Sequence, residues 1–409
     1  MKKIFVITPW IPYPLNSGGN QGTFNTLSVL SKHFDVTVCI LADSHGDDFK
    51  MLTQQLPQVN FIQLPISDKS HYGLFRRIYH RLSKDIFKDN YVFKIDQMYS
   101  KFGLITSYIV YQISDYLKNH NFDLIQVEYY EALPIVYALP KDVKKLFVHH
   151  EIGYVVNELK SDFSDKYCYF KFLEAKDQEI AFLNRYDGVV TVSKVDATKL
   201  SKEGVTTKIY PSFSSIKLEN NIKEVKPYRK YLSFVGPEVH TPNKVGLLWF
   251  LNNCWSAILE KDAELKLQII GKWTDETEKK FISQYSNIEF KGFVEDLPTC
   301  LSGSIMIVPI TVGSGIRMKL LESSSNHIPF VSTTVGAEGL PFNDNEDGFI
   351  KSSAKEFIDS VLALQDIEKQ RKFAKSAYDK VIANYSIDAL EQNKIAIIND
   401  ILKNNNNDY

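Results

Sequence analysis

The sequence predicts two doubly wound parallel-sheet α/β domains, on three observations. Short Val- and Ile-rich runs alternate with longer helical patterns, several runs are apolar on both faces, and the rhythm stops once and restarts. A strand covered by helices on both sides reads as a near-continuous apolar run, because neither face meets water. A restart of the same alternation implies a second sheet.

In the first series the strands are "KIFVIT", "DVTVCIL", "NFIQL", "DLIQV", "KLFVH" and "GVVTV". In the second they are "YLSFVG", "LKLQIIG", "NIEFKG", "SIMIVPI" and "IPFVST". Between them "PSFSSIKLENNIKEVKPYRK" is polar and lacks apolar periodicity, as a linker does. The expected organisation is a first domain at 1–210, a linker at 211–229 and a second domain at 230–384. "SIDALEQNKIAIINDIL" is amphipathic, with Ser386 as its cap, so 385–402 is expected to form a terminal helix. The tail 403–409 is expected to be disordered. A length of 409 residues suits two domains of roughly 200 residues each.

Composition narrows the classes. Hydrophobic content of 44% and charged content of 24% fit a soluble globular protein. A net charge of −1 supplies no overall attraction to nucleic acid or anionic lipid, so any such binding must be local. Cys39, Cys168, Cys254 and Cys300 have no CxxC spacing and read as reduced thiols of a cytoplasmic protein. The apolar run of "MKKIFVITPW" is too short for a signal peptide and meets Pro9, so it reads as a first buried strand. No run approaches the roughly 18 apolar residues of a membrane span. The expected location is cytoplasmic, at most peripheral to a membrane.

Chemistry gathers in "SIMIVPITVGSGIRMKLLE". Ligands of doubly wound sheets bind beyond the carboxyl ends of the strands, where loops lead into helices. Here a strand to about Pro309 is followed by a loop from Thr311 to Gly315 and then a helix. Gly313 and Gly315 permit a tight turn and close backbone approach. A helix start with unsatisfied N–H groups favours an anion. Arg317 and Lys319 can add charge-assisted hydrogen bonds to phosphate oxygens, and Glu322 can accept from the vicinal hydroxyls of a ribose. A glycine-containing loop before an ordinary surface helix is the other reading.

The segment "VPITVGSGIRMKLLESSSNHIPFVSTTVGAEGL" resembles the donor-binding segment of family 4 (group 1) glycosyltransferases, whose two Rossmann-like domains face each other across a cleft in the GT-B fold. "YLSFVGPEVHTPNKVGLLWFLNNCW", "LQIIGKW" and "IEFKGFVEDLPTCLSGS" are similar to the rest of that domain, while the first domain matches more in order of elements than in motifs. The resemblance implies that Glu322 holds the ribose of a nucleotide-sugar donor. Arg317, Lys319 and the Gly313, Ser314, Gly315 and Ile316 backbone would lie near the diphosphate and sugar. It also implies that the terminal helix crosses back to the first domain. The family commonly pairs its ribose-binding Glu with another in an E-x7-E, and this chain has Ser314 there, as members with a Gly-Ser-Gly loop do; the donor sugar is left open. The family's cation after the domain's first strand is absent, since "FVGPEVHTPNK" has Pro237 and Glu238, and Lys244 is the substitute candidate.

In the first domain, "TPWIPYPLNSGGNQGTFNTLSVLSKHF" is a strand, a long loop and a helix beginning near Gly22. With Gly19, Gly22 and, after the second strand, Asp43, it imitates a dinucleotide fingerprint, although serine replaces the first glycine and the loop is long. In the resemblance, Gly18 and Gly19 instead let the loop approach donor phosphates or acceptor. "KLFVHHEIGYVVNE" ends a strand on His149, His150 and Glu151, and the resemblance favours His150 as the residue contacting the donor sugar; a strand-end histidine satisfied by backbone is the alternative. "QVEYYEA" offers Glu128 and Glu131, either an acid–base pair for hydrolysis or a polar rim. In "HYGLFRRIYHRLSKDIFK", Leu74, Ile78, Leu82 and Ile86 form a stripe away from Arg76, Arg77, Arg81, Lys84 and Lys88. That helix either packs on its own domain or rests on an anionic membrane.

The expected activity is retaining, metal-independent transfer of a sugar from a nucleoside diphosphate donor to a hydroxyl acceptor, such as a glycan or lipid-linked glycan in cell-surface glycan synthesis. His150, Arg317 and Lys319 are the catalytic candidates, with no cofactor beyond the donor and no nucleic-acid partner. The alternatives are an NAD-dependent oxidoreductase and a catalytically silent, glycosyltransferase-like binding subunit.

Overall fold

The computed structural model describes residues 1–42, 46–66, 104–158, 161–213, 224–313 and 316–403. Its contacts divide the chain into one unit of residues 1–215 with 390–409, and another of residues 216–389. The basic stripe at 71–88, Asp43 and the tail beyond 403 lie outside the described residues.

The first unit is built on seven strands: β1 Lys3–Thr8, β2 Asp35–Leu41, β3 Asn60–Leu64, β4 Leu124–Glu128, β5 Lys144–His149, β6 Gly188–Thr191 and β7 Ile209–Pro211. All pair in parallel, in the order β3-β2-β1-β4-β5-β6-β7. Chain order reverses between β1 and β4, which leaves a crevice at their carboxyl ends. The alternation along β1 shows why both faces are apolar. Phe5 and Ile7 enter one core with Cys39, Ile125 and Phe147, whereas Ile4 and Val6 enter another with Leu27, Val38 and Val148.

The second core is completed by the C-terminal helix Ile387–Lys403, which contributes Ile397, Ile398, Ile401 and Leu402. Hydrogen bonds from Lys208 and Tyr210 to Asp400 (2.6 and 2.5 Å) and from Lys32 to Glu391 (2.7 Å) border that contact. The last helix therefore belongs to the first unit, although the chain before it runs through the second. β7 was not among the expected strands: three half-buried residues are too few to show a period. Its Pro211 lies in the stretch expected to be linker.

The second unit repeats the plan with β8 Tyr231–Val235, β9 Lys266–Ile270, β10 Ile288–Gly292, β11 Ser304–Val308, β12 Phe330–Ser332 and β13 Phe349–Ile350. These are parallel in the order β10-β9-β8-β11-β12-β13, with the reversal between β8 and β11. Leu232, Phe234, Leu267, Ile269, Ile305, Ile307 and Val331 meet Phe250, Trp255 and Phe357 of the covering helices. Residues before 230 already join this unit: Arg229 N–H donates to the Gly303 carbonyl (2.8 Å), and Tyr228 packs on the core. Among the described residues no helix is long and apolar enough to cross a membrane.

Candidate active site

In the second unit, the loops after β8 and β11 meet at the reversal point. β11 ends at Val308, and Thr333, just after β12, pins the exit by directing its hydroxyl to the Ile310 carbonyl. Gly246, in the helix Thr241–Phe250, makes the close approach on the other side. A Cβ there would lie 2.7 Å from the Pro309 carbonyl oxygen. The loop then reaches Gly313, whose φ of +117° only glycine adopts without strain. A Cβ at Gly313 would also come within 3.0 Å of Pro242 and 3.2 Å of Arg317 Nη2. Ser314 and Gly315 lie outside the described residues.

The following helix is Met318–Ser325, so it starts later than expected, and Arg317 stands at its N-cap rather than within its first turn. The cause is local: Ile316 and Arg317 carbonyls accept from Met318 N–H (3.1 Å) and Leu320 N–H (2.8 Å), tightening the entry. No side chain caps this helix. Arg317 is 7% exposed.

Lys319 lies half-buried beside it and donates from Nζ to Asn243 Oδ1 at 2.6 Å, with its ammonium 5.0 Å from the Phe234 ring centre. Burial and then the neighbouring Arg317 push the Lys319 ammonium down to about 7, while Glu322 on the same helix opposes them. Asn243 is itself anchored by donating to the Pro237 carbonyl (3.0 Å), and it occupies the space a side chain at Gly236 would need. Asn243 was not foreseen; its only signal was a polar side chain entering a helix at the reversal point.

Lys244, the substitute cation of the sequence reading, turns to a different partner. Its Nζ lies 2.8 Å from Glu238 Oε1. Glu238 also accepts from Thr274 N–H and hydroxyl and from the Thr277 hydroxyl, which fastens it to the start of the helix Asp275–Gln284. Burial alone would raise this carboxyl, but Lys244 and the three other donors outweigh it and hold it down at about 2. The structure thus gathers Gly313, Arg317 and Lys319 on one side, with Glu322 one turn along the helix, and commits Lys244 to Glu238.

In the first unit, Ser17 caps the helix Gly18–Leu30, accepting from Asn20 N–H at 3.2 Å. The helix therefore begins at Gly18, a full turn before the expected start near Gly22, and Gly18 and Gly19 form its first turn. A Cβ at Gly19 would lie 3.1 Å from the Tyr129 hydroxyl. Tyr129 follows β4 with φ of +68°, a conformation held from several sides. Its hydroxyl lies 2.9 Å from Thr23 Oγ1, Trp10 packs against its ring at 4.4 Å, and its other neighbour is His150, stacked at 4.1 Å and 13°.

His150 Nε2 lies 2.6 Å from Glu128 Oε2, and Gln126 Nε2 donates to Glu128 Oε1 at 2.5 Å. Glu128 is 1% exposed, so it forms no polar rim. His149 points the other way, buried against Glu179 at 2.8 Å, and Glu179 also caps Gly153 and Tyr154 N–H groups (3.0 and 2.8 Å). Of the adjacent pair, His149 braces the fold and His150 keeps partial exposure.

Residues 229–366 match the family model described as glycosyl transferases group 1. A Klebsiella pneumoniae protein described as an uncharacterized 44.6 kDa protein in the cps region is 23% identical over 414 residues, spanning 94% of this chain and 97% of its own. A TarM variant from S. aureus, in complex with fondaparinux, alpha-GlcNAc-glycerol and UDP, superposes with a TM-score of 0.71. The two share 14% identity over 98% of this chain and 100% of that one. Anabaena HepE in complex with UDP-glucose gives a TM-score of 0.68 at 13% identity, over 98% of this chain and 100% of that one. Likeness at such identity concerns the fold; the family match concerns the second unit.

Proposed function

We propose that this chain, a glycosyltransferase of the GT-B fold with a group 1 domain in its second unit, moves a sugar from a nucleoside diphosphate sugar to a hydroxyl acceptor. Transfer retains the anomeric configuration and uses neither a metal ion nor a cofactor. The observation that carries this reading is the cation pair Arg317 and Lys319, packed behind Gly313 at the uncapped start of the helix Met318–Ser325. A dianionic group seated there would be favoured by both side chains and by the N–H groups of the helix start.

As the glycosidic bond breaks, negative charge grows on the departing diphosphate. Arg317, Lys319 and the oriented N–H groups interact with that charge more strongly than with the intact donor, which lowers the barrier. Glu322 accepts from the ribose hydroxyls and fixes register along the helix. The acceptor attacks from the face the diphosphate leaves, and a diphosphate oxygen takes its proton. His150, from the first unit, serves the sugar-bearing end of the donor. The solved structures with UDP and UDP-glucose support a uridine nucleotide as the first donor to try, and the cps-region relative supports a role in cell-surface polysaccharide.

The test is a thermal-shift panel of UDP, GDP, their sugars and NAD(H). A ligand that binds only the native state raises the melting temperature. A shift with a nucleoside diphosphate, lost in Arg317→Ala and Glu322→Ala, is expected. A shift with NAD(H) alone would overturn the reading.

A further inference from the structure

Glu128 is an unusual residue to find at the end of a central strand. Its carboxylate is almost fully buried, yet the second-unit chemistry proposed above makes no use of it. A carboxylate only accepts hydrogen bonds, so the proton in the 2.6 Å contact with His150 sits on Nε2. The imidazole's face is clamped as well, by the stacked Tyr129 ring, whose own position is fixed by Thr23, Trp10 and the absence of a side chain at Gly19. Nδ1 makes no hydrogen bond among the described residues.

Glu128 also acts on a buried cation of the C-terminal helix. Lys394, 6% exposed, comes from the C-terminal helix and lies in the field of Glu128. Burial pushes its ammonium down to about 8, and Glu128 pulls it back up, so the lysine stays mostly charged near neutral pH. Tyr129 stacks on the imidazole with Glu131 in the field of its own hydroxyl, and Glu151 follows His150 in the chain.

We propose that Glu128 is a positioning residue that fixes His150 as its Nε2–H tautomer and so presents Nδ1 to accept from a substrate hydroxyl. This rests on the reading that His150 serves the sugar-bearing end of the donor. Histidines whose far nitrogen is held by a carboxylate present the near one in a single orientation, and loss of such a partner commonly costs about 10–100-fold in function.

The experiment is two-bond proton–nitrogen NMR of the full chain labelled with 15N-histidine, the His150 signals being identified by their loss in His150→Ala. In the wild-type protein at pH 7.5, Nε2 should be protonated and Nδ1 bare; an Nδ1–H tautomer or an imidazolium there overturns the proposal without any variant being made. Glu128→Gln should weaken that tautomer preference, because an amide can donate as well as accept, and should lower kcat about tenfold or more with little change in donor KM. A purely structural role would lower its melting temperature and leave the tautomer preference where it was. The NMR result needs no turnover, so it separates the two ideas. His150→Ala with unchanged donor binding and turnover overturns the substrate role of His150, whereas a loss in His150→Ala beside full activity in Glu128→Gln overturns the positioning role.

Discussion

Lys319 Nζ is held 2.6 Å from Asn243 Oδ1, so the first turn of the helix after β8 aims a cation that belongs to the helix after β11. The two elements flank the chain reversal of the second sheet, and the bond fixes where the ammonium sits before any anion arrives. Preorganisation of this kind spares the donor the cost of ordering a long side chain. Asn243→Ala should therefore weaken nucleoside diphosphate binding about tenfold, or about 1.4 kcal/mol, by isothermal titration. Unchanged affinity would mean that Lys319 finds the phosphate unaided.

Donor binding should depend on pH through the same lysine. With the Lys319 ammonium pushed down to about 7, the group is largely neutral above that pH in the free protein. A bound diphosphate favours the ammonium, so binding takes up a proton there. Affinity should fall as pH rises from 7 to 8.5, by at most about tenfold per unit. The pyrophosphate of a nucleotide sugar is esterified at both ends and does not ionise further in that window, so it adds no slope. Titrations in buffers of different ionisation enthalpy measure the proton uptake directly, and Lys319→Met should abolish it.

Gly313→Ala tests the loop. The new methyl would demand a strained φ of +117° and would press on Pro242 and on Arg317 Nη2. The stability cost should stay near about 1–3 kcal/mol, since the loop can shift, while Arg317 is displaced from the anion position. We expect donor affinity to fall more than melting temperature does, which comparing binding with thermal unfolding will show.

Much of this arrangement was legible in the sequence because parallel sheets write their strands as apolar runs. The strands that escaped, β7 and β13, each close one edge of a sheet with three and two residues, too short for periodicity to register. The segment "VGSGIRMKLLE" announced Gly313, Arg317 and Lys319 through glycine and charge in one stretch of chain. Asn243 and Glu128 were not assigned to the site because their meaning lies in partners 76 and 22 residues away. The early start of the helix at Gly18 was hidden by its glycines, which read as loop although Ser17 caps them. Lys244, named as a substitute for the family's missing cation, pairs with Glu238, six residues before it, a partner that the sequence reading did not anticipate.

The C-terminal helix supports the sharpest stability prediction. Ile401 is 2% exposed and packs in the same core as Ile4, Val148 and Val190, and its methyl lies 3.0 Å from where a Cβ at Gly188 would stand. Truncating it leaves a cavity that strands β5 and β6 cannot fill, because their positions are set by ladder hydrogen bonds on both sides. Ile401→Ala should cost about 2–5 kcal/mol. Asp400→Asn, one residue away, removes the charge of an exposed ion pair with Lys208 while leaving an amide oxygen to accept from Tyr210, and should cost less than about 1 kcal/mol, since solvent screens the pair. Urea unfolding of the two variants side by side distinguishes burial from surface charge as the bond between this helix and the first sheet. If Asp400→Asn proves the more damaging, the helix is held by its polar edge and the apolar contact described here is incidental.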